Sequence, residues 1–487
     1  MDLLNALKQE TNKTYTENGA LAYKSTLNNT LDYFSQISSF KYDHASGLDY
    51  FKKAYQEDRL LAMKALFYTR NIRGLGQGLR SVSREIYKWL SFNDIETMRA
   101  NLNNIKEFGR IDDYYSFVGT PLEAEAMNIL VSEVKKDEAL EHPSLCAKWL
   151  ASINTSSDET RKLAKITAKY LGLNAKEYRQ LLSRLRKRID IVETKMCAKK
   201  FDEITYEAVP SKAMLNYKDA FKRNDESRFN KYLEDVKEGK KKIKANAIYP
   251  YEILRKGKLT IGYSNLKISS DETLESTWEN LPNFVEGNTK TLVVADTSGS
   301  MFGEPLNVAV SLALYFASRN QGVWKDKLIT FSSTPSFVDL EGAKTLKEKV
   351  ECIPSIVSNT NIEEVFDLIL DAAIHNQVKE EDMLDSIIIV SDMQFDSMCT
   401  DAEKDYTTLI KSKYDNAGYK VPNIVYWNVN EKYNMLSHAM YNERGVKLVS
   451  GFSQSLFKEV VTSKDSNPYE TMLKILNNEM FDKVKVA

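Results

Sequence analysis

Along the first 287 residues, apolar positions recur at the three- and four-residue spacing of helix faces. Leu60 to Tyr68 carries the dense apolar face of a buried helix, and Ala147 to Ile153 and Ser183 to Met196 read the same way. Short polar or glycine-bearing stretches interrupt the pattern at Gly74–Gly78, Phe108–Arg110, Asn154–Asp158 and Leu171–Asn174. Helices of about 10 to 20 residues joined by such loops predict stacked helical hairpins of α-solenoid (HEAT-like) type, without a clean fixed period. The Gly74-x-Gly76-x-Gly78 loop has no strand before it, so it reads as a tight inter-helix turn rather than a dinucleotide fingerprint. Tyr249-Pro250-Tyr251 is expected to stop a helix. The polar, acidic run Asp271 to Gly287 places a domain boundary near residue 287, giving domains 1–287 and 288–487.

From Thr291 the rhythm changes. Apolar runs at Leu292–Ala295, Leu328–Phe331, Ser386–Val390, Ile424–Trp427 and Val446–Val449 alternate with helix patterns. Those patterns fall at Pro305–Asn320, Ile362–His375, Ala402–Lys413, Ser453–Val461 and Tyr469–Phe481. Apolar strands alternating with helices predict a doubly wound, mostly parallel α/β sheet. The chain is therefore read as multidomain, an all-α repeat half followed by an α/β half.

Composition narrows the classes. No apolar run approaches the ~18 residues of a membrane span. The opening segment has an acid at position 2 and no sustained apolar core, so it does not read as a signal peptide. Cys146, Cys197, Cys352 and Cys399 form no C-x-x-C pair, which fits free thiols and a cytoplasmic setting. The four histidines show no zinc-enzyme spacing. A net charge of −1 conceals an asymmetry: residues 161–260 hold 27 Lys+Arg against 13 Asp+Glu, whereas 291–487 hold 19 against 28. The basic stretch is either a polyanion-attracting surface or a set of solvated helix faces.

The candidate chemistry begins at Thr291–Met301, TLVVADTSGSM. A buried strand runs into Asp296, and Asp296-x-Ser298-x-Ser300 puts one carboxylate and two hydroxyls on the loop above the sheet, where open α/β sheets bind ligands. Hard oxygen donors suit Mg²⁺, or Mn²⁺ in its place. Thr360, before the helix near Ile362, and Asp392, after the apolar run Ile387–Val390, are the further candidate ligands. Parallel strands end on one edge, so Asp296 and Asp392 are expected on neighbouring loops. The alternative is a metal-free domain in which the same residues cap loops.

These residues resemble the metal-ion-dependent adhesion site of von Willebrand factor type A domains. The resemblance implies Asp296, Ser298 and Ser300 from a first loop, Thr360 from a second and Asp392 from a third around one divalent ion. It also implies a coordination position left for an acidic protein partner. Two departures stand out: the Thr360 loop lacks the usual preceding glycine, and Met393 rather than glycine follows Asp392.

A wider resemblance covers nearly the whole chain. Thr16–Ala20, Leu66–Gly74, Phe108–Asp113, Ala147–Leu150, Glu177–Arg179, Leu182–Arg186 and Val209–Ser211 are similar to the TROVE (Ro autoantigen) architecture and its eukaryotic, viral and phage relatives. Ser391–Asp396, Val425–Asn428 and Ser450–Ser453 continue the likeness. That architecture closes a ring of helical repeats with a type A domain and binds small structured or misfolded RNA, and the resemblance implies the same here. Arg70, Arg73, Arg80, Arg110, Lys148, Arg179, Arg184, Arg186 and Lys187, with Arg188 beside them, are the candidate phosphate contacts. Tyr178 and Trp149 are either stacking faces or core. Arg110 is equally suited to an ion pair with Asp112-Asp113. No nucleophile–base pair stands out, and two acids at one metal lack the second metal or general base of phosphoryl cleavage. The expectation is an RNA-binding scaffold that is not an enzyme, the alternative a metal-dependent assembly module of a larger particle.

Overall fold

The computed structural model describes all residues except 1–2, 74–75, 190, 286, 288, 332–333, 356–360, 398–405, 430–434 and 463–465. Its first half is helical. Arg59–Arg70 is buried from Leu61 onward on almost every face and forms the centre of this half. His44–Glu57 and Ser81–Asn93 pack beside it, and Asp58 both ends the former and caps Arg59–Arg70 by accepting the Leu61 N–H at 2.9 Å. Asp94 and Asn174 cap later helices in the same way, so side-chain oxygens set the boundaries.

Three expected elements come out differently. Ala147–Ile153 holds only one helical turn, Cys146–Trp149. The Ser183–Met196 pattern divides into Ala175–Arg188 and Val192–Cys197, with Ile191 extended between them. Pro250 opens a helix, Pro250–Lys256, rather than closing one: it sits in the first turn, where a missing N–H costs nothing, and Glu252 reaches back to the Tyr249 N–H at 3.0 Å.

Two short antiparallel ribbons belong to the helical half: β1 (Lys13–Tyr15) with β2 (Leu21–Tyr23), and β3 (Thr260–Ile261) with β4 (Leu266–Lys267). The second half is the expected α/β sheet. Its strands are β5 (Thr291–Asp296), β6 (Lys327–Phe331), β7 (Ser336–Asp339), β8 (Ser386–Ser391), β9 (Asn423–Asn428) and β10 (Val446–Ser450). They lie in the order β10-β9-β8-β5-β6-β7, all neighbours parallel except β6–β7. The edge strand β7 buries only Val338, too short a signal to read from sequence. β5 pairs with β6 on one side and β8 on the other, so it lies at the switch point where the crevice above such a sheet opens.

The halves share one hydrophobic core that runs from Ala20 to Val484, with a satellite cluster from Val192 to Ile243. Polar contacts stitch the seam over the C-terminal edge of the sheet. Tyr23 and Ser437 exchange backbone hydrogen bonds at 2.8 Å, the Ser38 N–H donates to Ser450 Oγ at 2.8 Å, and Asn428 Nδ2 donates to Gln36 Oε1 at 2.8 Å. Gly451 is the tightest point. Its φ is +126°, and a Cβ there would lie 1.8 Å from Gln77 Oε1. Gln77 has no easy retreat, because Nε2 donates to Tyr68 Oη at 2.6 Å and Oε1 accepts the Phe452 N–H at 3.2 Å. Gly451→Ala is expected to lower unfolding free energy by about 1–3 kcal/mol through overpacking and backbone strain. A urea titration checks this; a change within about 0.5 kcal/mol, the range of neutral surface substitutions, would contradict it.

Candidate functional site

At the end of β5 the Asp296 carboxylate is fully buried. Oδ1 accepts the Ser298 N–H at 2.8 Å, which folds the loop back on itself, and Oδ2 accepts the Ser391 hydroxyl at 2.6 Å. Ser298 and Ser300 hydroxyls stand 3.2 Å apart, and Ser300 is exposed. Asp392, one residue past β8, is also buried, with the Gln394 N–H 3.4 Å from its Oδ1. Burial first, and the Asp392 charge second, push the Asp296 pKa up to about 7. The loops thus bring together Asp296, Ser298, Ser300 and Asp392. Thr360 lies outside the described residues. Ser391, which orients Asp296, was not anticipated; a hydroxyl directly before the acid of the second apolar strand was its only sequence signal.

Two neighbouring buried carboxylates with hydroxyls beside them are a donor set of the kind that suits one hard divalent cation. Both loops are anchored to the helical half. Thr16 Oγ1 donates to the Phe395 carbonyl at 2.6 Å, Asn18 Nδ2 to that of Gln394 at 2.8 Å, and the Glu17 N–H to Gln394 Oε1 at 3.0 Å. Glu304, after the first loop, pairs with Lys41, accepts the Tyr42 hydroxyl at 2.9 Å and faces Arg255 at 3.4 Å. Met393 takes φ +65° although it is not glycine; its N–H donates to Ser391 Oγ at 3.0 Å, and its carbonyl lies 2.9 Å from His438 Nε2. The third loop therefore makes a left-handed turn at a residue that is not glycine.

The second feature is a cavity of about 840 Å³ in the helical half, floored by Phe452, Ser453 and Gln454 from the loop after β10. Arg80, Arg110, Lys148, Trp149, Lys212 and Tyr249 are on its walls. Trp149 is 36% exposed, and the Arg110 guanidinium lies 3.9 Å from its ring centroid. Asp112 meets Arg110 at 3.1 Å, Arg84 at 2.8 Å and Arg80 at 3.6 Å, while Asp113 holds Arg70 at 2.7 Å and Arg84 at 2.7 Å. Four guanidinium groups against two carboxylates leave this wall positive. Burial and then the charges of Arg84 and Arg110 lower the Arg80 pKa, as expected for a crowded cationic site.

Of the sequence-predicted cations, Arg80, Arg110 and Lys148 meet at the cavity, Lys148 paired with Glu193 at 3.1 Å. Arg70 also borders it but is only 1% exposed and is committed to Asp113, so its role is structural. Arg186 is likewise committed: Nε donates to the Ala147 carbonyl at 2.8 Å, Nη2 to that of Leu150 at 2.8 Å and Nη1 to Ser152 Oγ at 2.9 Å. Arg188 caps the carbonyls of Asp137 and Leu140 at 3.0 Å each. Arg73 is exposed with Nε on the Glu107 carbonyl at 3.2 Å; Arg179, Arg184 and Lys187 are exposed on Ala175–Arg188, with Arg184 3.5 Å from Glu138. None of these four borders the cavity. Tyr178 is core, its hydroxyl donating to the Ala151 carbonyl at 2.8 Å. Lys212, Tyr249 and Gln454 were not anticipated; Lys212 lies in the first turn of the helix Ser211–Asn224, Tyr249 caps Pro250–Lys256 and Gln454 follows β10.

Residues 290–485 match the family model described as Domain of unknown function (DUF7788), and residues 16–111 and 167–293 match Domain of unknown function (DUF2828). Over 512 aligned residues the chain is 29% identical to "Uncharacterized protein L728" of Acanthamoeba polyphaga mimivirus, an alignment covering 96% of this chain and 87% of that protein. Neither model is that of the Ro/TROVE family. Among the described residues, no helix is long and apolar enough to cross a membrane.

Proposed function

We propose that this chain is an RNA-binding scaffold of Ro/TROVE type, not an enzyme, whose helical half takes unpaired RNA into the cavity. The α/β half closes that cavity and carries a divalent-metal site. The observation that supports this best is the cavity itself: Arg80, Arg110, Lys148 and Lys212 supply cations for phosphates, and Trp149 presents a half-open ring for a base. Asp296, Ser298, Ser300 and Asp392 would hold Mg²⁺ (or Mn²⁺), with Thr360 as the ligand expected from the second loop. The ion would supply Lewis acidity toward a carboxylate. With the metal loops bonded to residues 16–18 and Lys41, its first effect is on the seam between the halves.

Fluorescence anisotropy with a short single-stranded RNA tests the reading. Affinity should fall with salt at a log–log slope of about −3, four phosphate contacts at ~0.7 each. Trp149→Ala should cost about 1–3 kcal/mol of binding. Affinity no greater than that of an acidic control protein would overturn it. The second reading is a metal-dependent protein-interaction module, possible because Ser300 is exposed and Phe302 beside it is 71% exposed. Repeating the titration in EDTA and with Asp296→Ala separates the two, since the scaffold keeps its RNA affinity under both conditions while a carboxylate-bearing partner is released.

A further inference from the structure

One residue lining the cavity keeps a buried polar atom without a partner among the described residues. Gln454 lines the floor from the loop after β10 and is 4% exposed. Its Nε2 donates to the Ile248 carbonyl at 3.3 Å. That bond sets the direction of the amide, because the flipped group would press two carbonyl oxygens together. Oε1 is then buried with no hydrogen-bond partner among the described residues. An unmade bond of this kind carries the full desolvation penalty until a donor arrives.

The surrounding cations select phosphates, but a phosphate only accepts and leaves Oε1 unsatisfied. A nucleobase edge satisfies it. The free Oε1 and the second Nε2 hydrogen form an acceptor–donor pair, the pattern with which glutamine reads the N6 amine and N7 of adenine. Tyr251 and Phe452, with ring centroids 5.5 Å apart, line the same cavity and bound that base with apolar surface.

We propose that Gln454 is a specificity-determining residue that reads the amine edge of an unpaired adenine, so that the α/β half sets the sequence preference. This rests on the RNA reading above. The test is anisotropy of wild type, Gln454→Leu and Gln454→Glu with two octaribonucleotides, one of adenosine and one of N6,N6-dimethyladenosine, which has lost the N–H donor. Wild type is expected to bind the adenosine oligomer about tenfold more tightly. Gln454→Glu, which keeps the acceptor but sets a second oxygen against the Ile248 carbonyl and adenine N7, binds the adenosine oligomer more weakly than wild type, and Gln454→Leu binds both oligomers alike. Equal binding of both oligomers by wild type, or a preference that persists in Gln454→Leu, would overturn the assignment and leave RNA binding standing. Binding of neither oligomer by any of the three proteins overturns the RNA reading and this assignment with it.

Discussion

Asp113→Ala is expected to destabilise the protein by about 3–5 kcal/mol, the cost of stranding a buried charge. Asp113 is fully buried and accepts from three directions: Arg70 Nε at 2.9 Å, Arg84 Nε at 2.7 Å and the Arg110 N–H at 2.9 Å. Arg70 has nowhere else to go. Gly109 makes the arrangement possible, since a Cβ there would come within 2.2 Å of Asp113 Oδ2. The same network sets Arg110 against Trp149, so the variant should lose RNA affinity as well as stability. Urea unfolding checks the first effect, and the Arg70→Met, Asp113→Leu pair should recover much of the loss because no charge is then stranded. A single-variant loss below about 1 kcal/mol, the scale of an exposed ion pair, would contradict the network's role.

The second large effect is the response to divalent metal across pH. The Asp296 pKa is raised from 3.8 to about 7, so between those values the native state holds a proton that the unfolded state has released. Stability of the metal-free protein therefore falls as pH rises through that window, by an amount on the order of a few kcal/mol. Under the proposed metal binding, a cation would take over the proton's role of relieving the Asp296–Asp392 repulsion. Thermal melts in EDTA should drop from pH 5 to pH 8, and Mg²⁺ should raise the melting temperature at pH 8 far more than at pH 5. Asp296→Asn, neutral throughout, should show neither the drop nor the Mg²⁺ gain. An identical pH profile in wild type and Asp296→Asn would rule out this origin.

Much of the α/β half is legible in the sequence because a buried parallel strand is a short apolar run, and two such runs end in Asp296 and Asp392. Strand parity then puts the two acids on one edge. What the sequence conceals is what tertiary closure decides. Arg70 and Arg186 look like Arg80 and Arg110 in the sequence, yet packing consumes the first two and leaves the other pair at the cavity. Ala147–Ile153 has a helix's apolar pattern, but the carbonyls of Ala147 and Leu150 bond to Arg186 instead of continuing it. Pro250 reads as a helix stop, whereas the Tyr249–Glu252 cap makes it a helix start. Gln454 becomes notable only when its loop meets Ile248. Four of the ten stretches that carried the wider resemblance, Thr16–Ala20, Ser391–Asp396, Val425–Asn428 and Ser450–Ser453, meet at the seam between the halves.

The measurement that bears most directly on the central claim is photo-crosslinking of a single-stranded RNA carrying 4-thiouridine, followed by peptide mapping. The account predicts crosslinks at Trp149, Tyr249 or Phe452 on the cavity, lost at high salt and preserved in EDTA. Crosslinks confined to the exposed helix Ala175–Arg188, with the cavity aromatics unmarked, would contradict it.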